Sequence, residues 1–240
     1  MGPIPCCVHQ IWIGDRRRRP EAWMGTWREH YVRTHPEWEY EEWDEKRIES
    51  LFRRARLPAV PGERSPRIEW RQMIDRLREL YYMEPTLHGR ADIARLVILY
   101  MSGGVYVDAD SVWLKGNLSR FAESAKTTGV FAAMEPGKEW LANGVIGAER
   151  GSGVMLSLLQ HLASVDYSAL RRKDGPYAVT GPLLLTRAMN SITVVPSVHF
   201  YPVPWVGVKD AEAHKKMVLP DEAYMFQYGM TTNGLLAPEN

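Results

Sequence analysis

The stretch from Gly89 to Leu114 reads GRADIARLVILYMSGGVYVDADSVWL, a helix, a break and a strand in succession. Ile93, Leu96, Val97 and Tyr100 recur at i, i+3, i+4 and i+7, the apolar stripe of a helix that faces a core. Asp92 and Arg95 fall off that stripe, three apart, which makes them neighbours near one edge of the helix. Gly103-Gly104 ends the helix, since glycine enters the left-handed region where helices commonly stop. Val105 to Asp110 then predicts a strand with two faces, Val105, Val107 and Ala109 on one and Tyr106, Asp108 and Asp110 on the other.

That alternation puts the Cβ atoms of Asp108 and Asp110 about 7 Å apart on one face. Two neighbouring carboxylates repel and cost desolvation unless a cation sits between them. All-oxygen ligands select hard ions, so Mn²⁺ or Mg²⁺ is expected, with open positions for substrate phosphates. Such an ion would neutralise charge on a departing diphosphate. Asp-x-Asp alone is a very short pattern, and its context carries the reading. A helix, a Gly-Gly break and a hydrophobic strand place the pair at a carboxyl end of a sheet, where ligands of open α/β sheets bind.

Working outward, Val8 to Ile13 follows Pro3 and Pro5, precedes Gly14-Asp15 and reads as a buried strand. Pro20 opens a helix carrying Trp23, Trp27 and Tyr31, stopped before Pro36. Trp38 to Trp43 reads as a strand, and Asp44 caps a helix whose apolar face is Ile48, Leu51, Phe52 and Ala55. Leu57 to Pro66 reads as a loop. Arg67 to Tyr82 follows as an amphipathic helix with Trp70, Met73, Ile74, Leu77 and Tyr81 at helical spacing. These helices, about residues 44–83, form a small helical insert beside the sheet. Gly129 to Met134, Leu141 to Ala148 and Thr193 to Tyr201 read as strands, and Ser152 to Val165 and Pro182 to Asn190 as helices. The alternation predicts a single α/β domain over residues 1–240 with a mainly parallel sheet flanked by helices.

Composition narrows the partners. The 240 residues carry a formal net charge of +1, which offers no strong field to nucleic acid or acidic membranes. Arg16 to Arg19 is the only tight basic run and reads as a solvated loop. Cys6 and Cys7 are adjacent, too few for a zinc site and strained as a disulfide, which suits free thiols in a reducing compartment. No signal pattern or membrane-length apolar run is present, so the expected location is cytoplasmic. Nine Trp and eleven Tyr supply flat surfaces on which bases and sugar rings stack.

Arg90-Ala-Asp-Ile-Ala-Arg95, Leu99-Tyr100 and Gly103-Gly-Val-Tyr-Val-Asp-Ala-Asp110 resemble the signature block of the DXD-type sugar transferases of glycosyltransferase family 32. That group includes fungal Golgi mannosyltransferases and is related to the large clostridial glucosylating toxins. Ile4-Pro5 with Val8-His-Gln-Ile-Trp-Ile-Gly14 resembles its opening strand, and Thr180-Gly-Pro182 a later block. The resemblance implies a GT-A, Rossmann-like fold and a metal-dependent, retaining transfer of a hexose. The donor would be a nucleotide sugar, a UDP-sugar in preference to GDP-mannose.

It also implies roles. Trp12 would stack on the donor base, with Ile11 beside it in the donor site. Asp92 and Arg95 would contact donor-sugar hydroxyls, and Tyr106 and Asn143 would also face the donor. Asp108 and Asp110 would hold the metal, and with Asp92 and Arg95 make up the catalytic set. The chain departs from its relatives in Phe226-Gln-Tyr-Gly-Met-Thr-Thr-Asn-Gly234, where Gln227, Thr231 or Asn233 could supply the third metal ligand. The lack of a Golgi-type anchor favours a soluble, bacterial or viral style of enzyme. The acceptor is open between glycan, lipid, small molecule and protein, with the helical insert and the Pro58 to Pro66 loop as its expected contacts. The alternatives are a non-catalytic nucleotide-sugar-binding protein and a metal-dependent nucleotidyltransferase. The latter would need a glycine-rich phosphate loop or further acidic ligands, and the chain shows neither.

Overall fold

The computed structural model describes residues 2–55, 67–204 and 207–235. Its strands are β1 (Cys7–Ile11), β2 (Glu39–Trp43), β3 (Gly104–Val107), β4 (Ser111–Trp113), β5 (Val130–Met134), β6 (Leu141–Ala148), β7 (Thr193–Val195) and β8 (Met225–Gln227). Six of them form one sheet in the order β2-β1-β3-β6-β5-β7, and β4 and β8 form a second, two-stranded sheet. The pairings of β1 with β2, β1 with β3 and β5 with β7 are parallel. β6 alone runs against its neighbours β3 and β5, so the central sheet is mainly parallel, as expected.

The first helical stretch is α1 (Glu21–Gly25), a π-helical turn over Thr26–Tyr31, and α2 (Val32–Thr34). Then come α3 (Glu45–Arg54), α4 (Arg67–Met83), α5 (Leu87–Ser102), α6 (Ser119–Ser124), α7 (Gly153–Ser164), α8 (Tyr167–Val179), α9 (Pro182–Thr186), α10 (Ala213–Lys216) and α11 (Met230–Asn233). Asp44 caps α3 by accepting from the Arg47 amide at 2.9 Å, and the Thr86 hydroxyl caps α5 by accepting from the Gly89 amide at 3.2 Å.

Each face of the central sheet has its own core. Tyr106, Val130, Ala132 and Ile146 join the buried residues of α3, α4, α5 and α7, Phe52, Leu77, Val97 and Leu159 among them. Val8, Val105, Val107 and Phe131 face the opposite way, against Trp27, Tyr31, Trp38, Phe121 and Phe200. The alternation of β3 thus resolves as expected, valines to one side and Tyr106 to the other. The helices of residues 44–83 are a layer on the sheet and not an outlying lobe, because Ile48, Trp70, Ile74 and Leu77 lie in the same core as Ile93. The expected loop from Leu57 to Pro66 falls outside the described residues.

Gly103 and Gly104 have φ of +67° and +97°. A Cβ on Gly104 would lie 2.6 Å from the Cys7 carbonyl oxygen and 2.7 Å from His9 Nε2. The break therefore does two things: it turns the chain out of α5, and it lets β3 come up against β1.

Several expectations required correction. β3 stops at Val107, so Asp108, Ala109 and Asp110 form a turn and do not continue the strand. The expected strand from Thr193 to Tyr201 is β7 followed by a 3₁₀ turn over Ser197–His199, because Pro196 cannot donate to a ladder. The expected helix from Pro182 to Asn190 is α9 and a separate 3₁₀ turn, Met189–Ser191. α8, β4 and β8 were not expected. Two are strands of three residues, too short for a periodic pattern. α8 bends at Gly175, whose φ of +73° precedes Pro176. Among the described residues no helix is long and apolar enough to cross a membrane.

Candidate active site

The site lies where β1 and β3 end and β6 begins. Asp108 follows the last residue of β3, and hydrogen bonds to its backbone hold the turn it starts. Its amide donates to the Gly144 carbonyl at 2.9 Å, and its own carbonyl accepts from Gln10 Nε2 at 3.0 Å and Ser111 Oγ at 2.6 Å. Gln10 is fully buried and is itself fixed by the Tyr40 hydroxyl at 3.0 Å; Ser111 receives the Trp27 indole N–H at 3.1 Å. The turn is thus tied to β1, β2, β6 and the π-helical turn at once.

Asp92 and Arg95, expected at a helix edge, are buried, at 6% and 5% exposure. Arg95 Nη2 bridges Asp92 Oδ1 at 3.0 Å and Asp108 Oδ1 at 3.3 Å, and Nη1 donates to the Asn143 carbonyl. Its guanidinium stands 4.3 Å over the Tyr106 ring, and the Tyr106 hydroxyl donates to Asp108 Oδ1 at 2.9 Å. Asn143 Nδ2 donates to Asp92 Oδ1 at 2.8 Å, and the Thr180 hydroxyl to Asp92 Oδ2 at 3.1 Å. So the Asp92–Arg95 pair, Tyr106, Asp108 and Asn143 form one bonded cluster.

Asp110 is different. Its oxygens accept from Gln227 Nε2 and from the Met230 amide, each at 2.6 Å. β8 brings Gln227 here by pairing with β4 in the register Ser111 to Gln227. Among the described residues no cation pairs with Asp110, since Arg95 is spent on Asp92 and Asp108. Burial pushes the pKa of Asp110 up to about 6, and the Asp108 charge adds to the rise. Burial likewise pushes Asp92 up to about 6, against the pull of Arg95. Asp108 keeps 26% side-chain exposure but lies deep in the cleft; desolvation raises its pKa, while Arg95 and the Tyr106 hydroxyl oppose the rise.

The candidates for a third oxygen ligand separate. Gln227 Oε1 is buried and has no hydrogen-bond partner among the described residues, and it lies directly beside Asp110. The Asn233 carboxamide is engaged, its Oδ1 accepting from Gly207 at 2.8 Å and its Nδ2 donating to the Tyr228 carbonyl at 2.7 Å. The Thr231 side chain lies outside the described residues. No group of three His, Cys, Asp or Glu side chains placed for a metal occurs among the described residues. Two carboxylates and a neutral amide oxygen remain, a set that suits a hard ion that also takes phosphate oxygens.

Trp12 emerges at the carboxyl end of β1, its amide donating to the Trp43 carbonyl at 3.0 Å. It is half-buried, belongs to none of the hydrophobic clusters, and its indole N–H is buried without a partner. The Ile11 side chain, in contrast, is 4% exposed and packs in the main core, so it offers the site no side-chain contact. Gln10, Thr180, Tyr201 and Gly144 were not singled out as site residues. A Cβ on Gly144 would lie 2.6 Å from Asp108 Oδ2 and 3.0 Å from the Tyr201 hydroxyl, so a glycine is what admits both. Its only sequence signal was the glycine inside a strand pattern.

The fold has counterparts among known proteins. Residues 20–125 match the model of the family described as glycosyltransferase sugar-binding region containing DXD motif. The chain is 26% identical to a lactosylceramide 4-alpha-galactosyltransferase of Rattus norvegicus over 53% of its own length, and it spans only 35% of that relative. Among solved structures it resembles the PaToxG glycosyltransferase, with a TM-score of 0.51 at 16% identity over 78% of this chain and 69% of that one. It also resembles the UDP-bound glycosyltransferase domain of the YGT toxin, with a TM-score of 0.51 at 12% identity over 81% of this chain and 79% of that one. The fold is that of the GT-A glycosyltransferases. Residues 20–125 carry the DXD-containing glycosyltransferase region, in agreement with the family that the signature block resembles. That region includes Asp92, Arg95, Asp108 and Asp110, and leaves Trp12, Asn143, Thr180 and Gln227 outside it.

Proposed function

We propose that the chain is a retaining glycosyltransferase that moves a hexose from a nucleotide sugar to an acceptor hydroxyl, with Mn²⁺ or Mg²⁺ held by Asp108 and Asp110. The observation that carries this reading is Asp110, a half-buried, desolvated carboxylate repelled by Asp108, which among the described residues is paired with no cation and stands next to Gln227 Oε1, itself without a partner there. Gln227 is the favoured third ligand. A hard divalent ion there supplies neutralisation of the charge that builds on a diphosphate leaving group.

The chain's own residues do the rest. Trp12 offers a face to the base, its indole N–H free to donate. Asp92 is held by Asn143, Thr180 and Arg95 so that its carboxylate meets sugar hydroxyls in a fixed orientation. The acceptor oxygen bonds to the anomeric carbon as the bond from that carbon to the diphosphate oxygen breaks, and the acceptor proton passes to the departing diphosphate. Both events lie on one face of the sugar, so the configuration is kept. Positioning and charge neutralisation supply the rate. A UDP-hexose is favoured over GDP-mannose, because the curated relative is named for an alpha-galactosyl transfer and a fold neighbour is described as UDP-bound.

The test is a thermal-shift and donor-hydrolysis screen of nucleotide sugars with Mn²⁺, on the wild type and the Asp108→Asn/Asp110→Asn pair. One donor should stabilise and be slowly hydrolysed by the wild type alone. No response to any donor from folded protein would end this reading. Trp12→Ala is expected to weaken UDP binding by about 10–100-fold, the usual worth of a stacked base, with Mn²⁺ affinity little changed; equal losses for both would place Trp12 elsewhere.

Two further outcomes follow from the aspartates. Protons compete with a cation at a carboxylate whose pKa is raised to about 6. The Mn²⁺ affinity read by titration should therefore fall about tenfold or more between pH 7 and pH 5 and level off above pH 7; a flat profile would move the ion off Asp110. In Gly144→Ala the added methyl displaces the Asp108 carboxylate. Mn²⁺ affinity and donor turnover are expected to drop about 10–100-fold, as for other groups that orient a metal ligand.

A further inference from the structure

Beyond the donor cluster, a second group of side chains, used by nothing described so far, joins the start of β6 to the end of α8. Trp140 ends the loop between β5 and β6, and Tyr177 lies in the last turn of α8. Their rings meet edge to face, centroids 5.7 Å apart at 75°. Tyr177 is 39% exposed and Trp140 is half-buried. The Trp140 indole donates to Glu135 Oε2 at 2.8 Å, and Glu135 Oε1 receives no hydrogen bond from the described residues. Lys138, which is exposed, stands 5.2 Å over the Trp140 ring.

Two elements bring this group into the neighbourhood of Asp92. Trp140 directly precedes β6 and lies three residues, about 10 Å of extended chain, before Asn143, which is bonded to Asp92. At the other side, the bend at Gly175-Pro176 brings Tyr177 round. A Cβ on Gly181 would lie 3.2 Å from the Tyr177 Cα and 3.3 Å from Asp92 Oδ2, so that backbone passes one residue's width from Asp92. Glu135 is close enough to both sides that its charge helps to raise Tyr177 and Tyr201, though burial is the larger cause at each. Packing α8 onto the hairpin would need the rings but not a partly exposed tyrosine, a half-used carboxylate and an exposed ammonium gathered around them.

We propose that Trp140 and Tyr177, with Glu135 and Lys138, form the acceptor subsite and that it takes a pyranose, which makes the acceptor a glycan or glycoside. An aromatic face accepts the C–H face of a sugar ring, while the carboxylate and ammonium accept from and donate to its hydroxyls. The proposal rests on the transferase reading for the word acceptor, but the sugar-binding surface stands on its own residues. It moves the acceptor contact away from the helical insert and the Pro58 to Pro66 loop.

The experiment uses the full chain with UDP and Mn²⁺. Saturation-transfer NMR is run against the methyl pyranosides of glucose, galactose, mannose and N-acetylglucosamine, and donor hydrolysis is followed in the same samples. At least one pyranoside is expected to bind. Trp140→Ala and Tyr177→Ala should each weaken it about tenfold and lower the ratio of transfer to hydrolysis by a similar factor, whereas Tyr177→Phe, which keeps the ring, should stay near wild type. Tyr177 is exposed enough for its alanine variant to fold, which a melt verifies, so the test does not depend on Trp140→Ala. Undiminished binding in folded Tyr177→Ala, or no pyranoside binding by a wild type that hydrolyses donor, overturns the subsite and leaves the transferase standing. Pyranoside binding that depends on Trp140 in a protein that takes no donor keeps the sugar site and removes the transferase.

Discussion

Asp110→Asn is expected to abolish metal-dependent donor turnover and, without metal, to make the protein more stable. The carboxylate has a folded pKa near 6 against a usual value of 3.8. A raised acid is a source of stability only below its unfolded pKa; that stability is lost as pH rises through about 6. At pH 7.5 the native state therefore carries a penalty of at most about 3 kcal/mol at this residue. Asparagine keeps the shape and removes the charge, and so relieves that penalty. In a chelator at pH 7.5 the variant should melt up to about 6–12 °C above the wild type, and the difference should close as the pH approaches 4. Adding Mn²⁺ should raise the wild type and leave the variant unmoved. The turnover loss expected from taking away a carboxylate ligand is about a thousandfold or more. Melting curves at two pH values with and without Mn²⁺ test this; an Asp110→Asn protein less stable than wild type in chelator at pH 7.5 would show that the charge is already compensated.

Arg95→Met should act in the opposite direction. Arg95 is the sole cation bridging Asp92 and Asp108 among the described residues, and both its terminal nitrogens and its flat face are engaged. Removing one member of a buried pair leaves uncompensated charge and costs about 3–5 kcal/mol. The expected loss in melting temperature is about 6–20 °C at pH 7.5, with turnover lost as well because Asp92 and Asp108 are no longer oriented. Lysine should not substitute, since one ammonium cannot span two carboxylates and the Asn143 carbonyl together. Asp92→Asn in the Arg95→Met background should restore part of the stability but none of the turnover. A single variant melting within about 2 °C of wild type would mean that Asp92 is protonated and the bridge unimportant. The pair of results matters jointly: one desolvated aspartate is short of a cation, and its neighbours share the only one there among the described residues.

The signature block, the helix stripe and the Gly-Gly break were legible because each is a local pattern. Apolar spacing of 3.6 and 2.0 residues reports which face is buried without reference to anything distant, and Asp44 caps its helix through atoms three residues away. From these come the mainly parallel sheet, the family resemblance, and the four residues Asp92, Arg95, Asp108 and Asp110. Local patterns say nothing of where the chain returns. Gln227 stands next to Asp110 only because three-residue β8 pairs with three-residue β4, more than a hundred residues earlier in the chain. Gln10 and Thr180 reach the site by the same kind of closure, and Trp140 meets Tyr177 only because α8 bends at Gly175. The periodicity around Asp92 and Arg95 placed them at a helix edge, and the fold closed β6 over that edge. Sequence by itself thus determined which residues carry charge and which segments pack. Tertiary structure alone decided which charges are buried, which are paired, and that Asp110 is left with neutral partners. The reason is that desolvation and Coulomb energy depend on distance in space, and separation along the chain does not encode it.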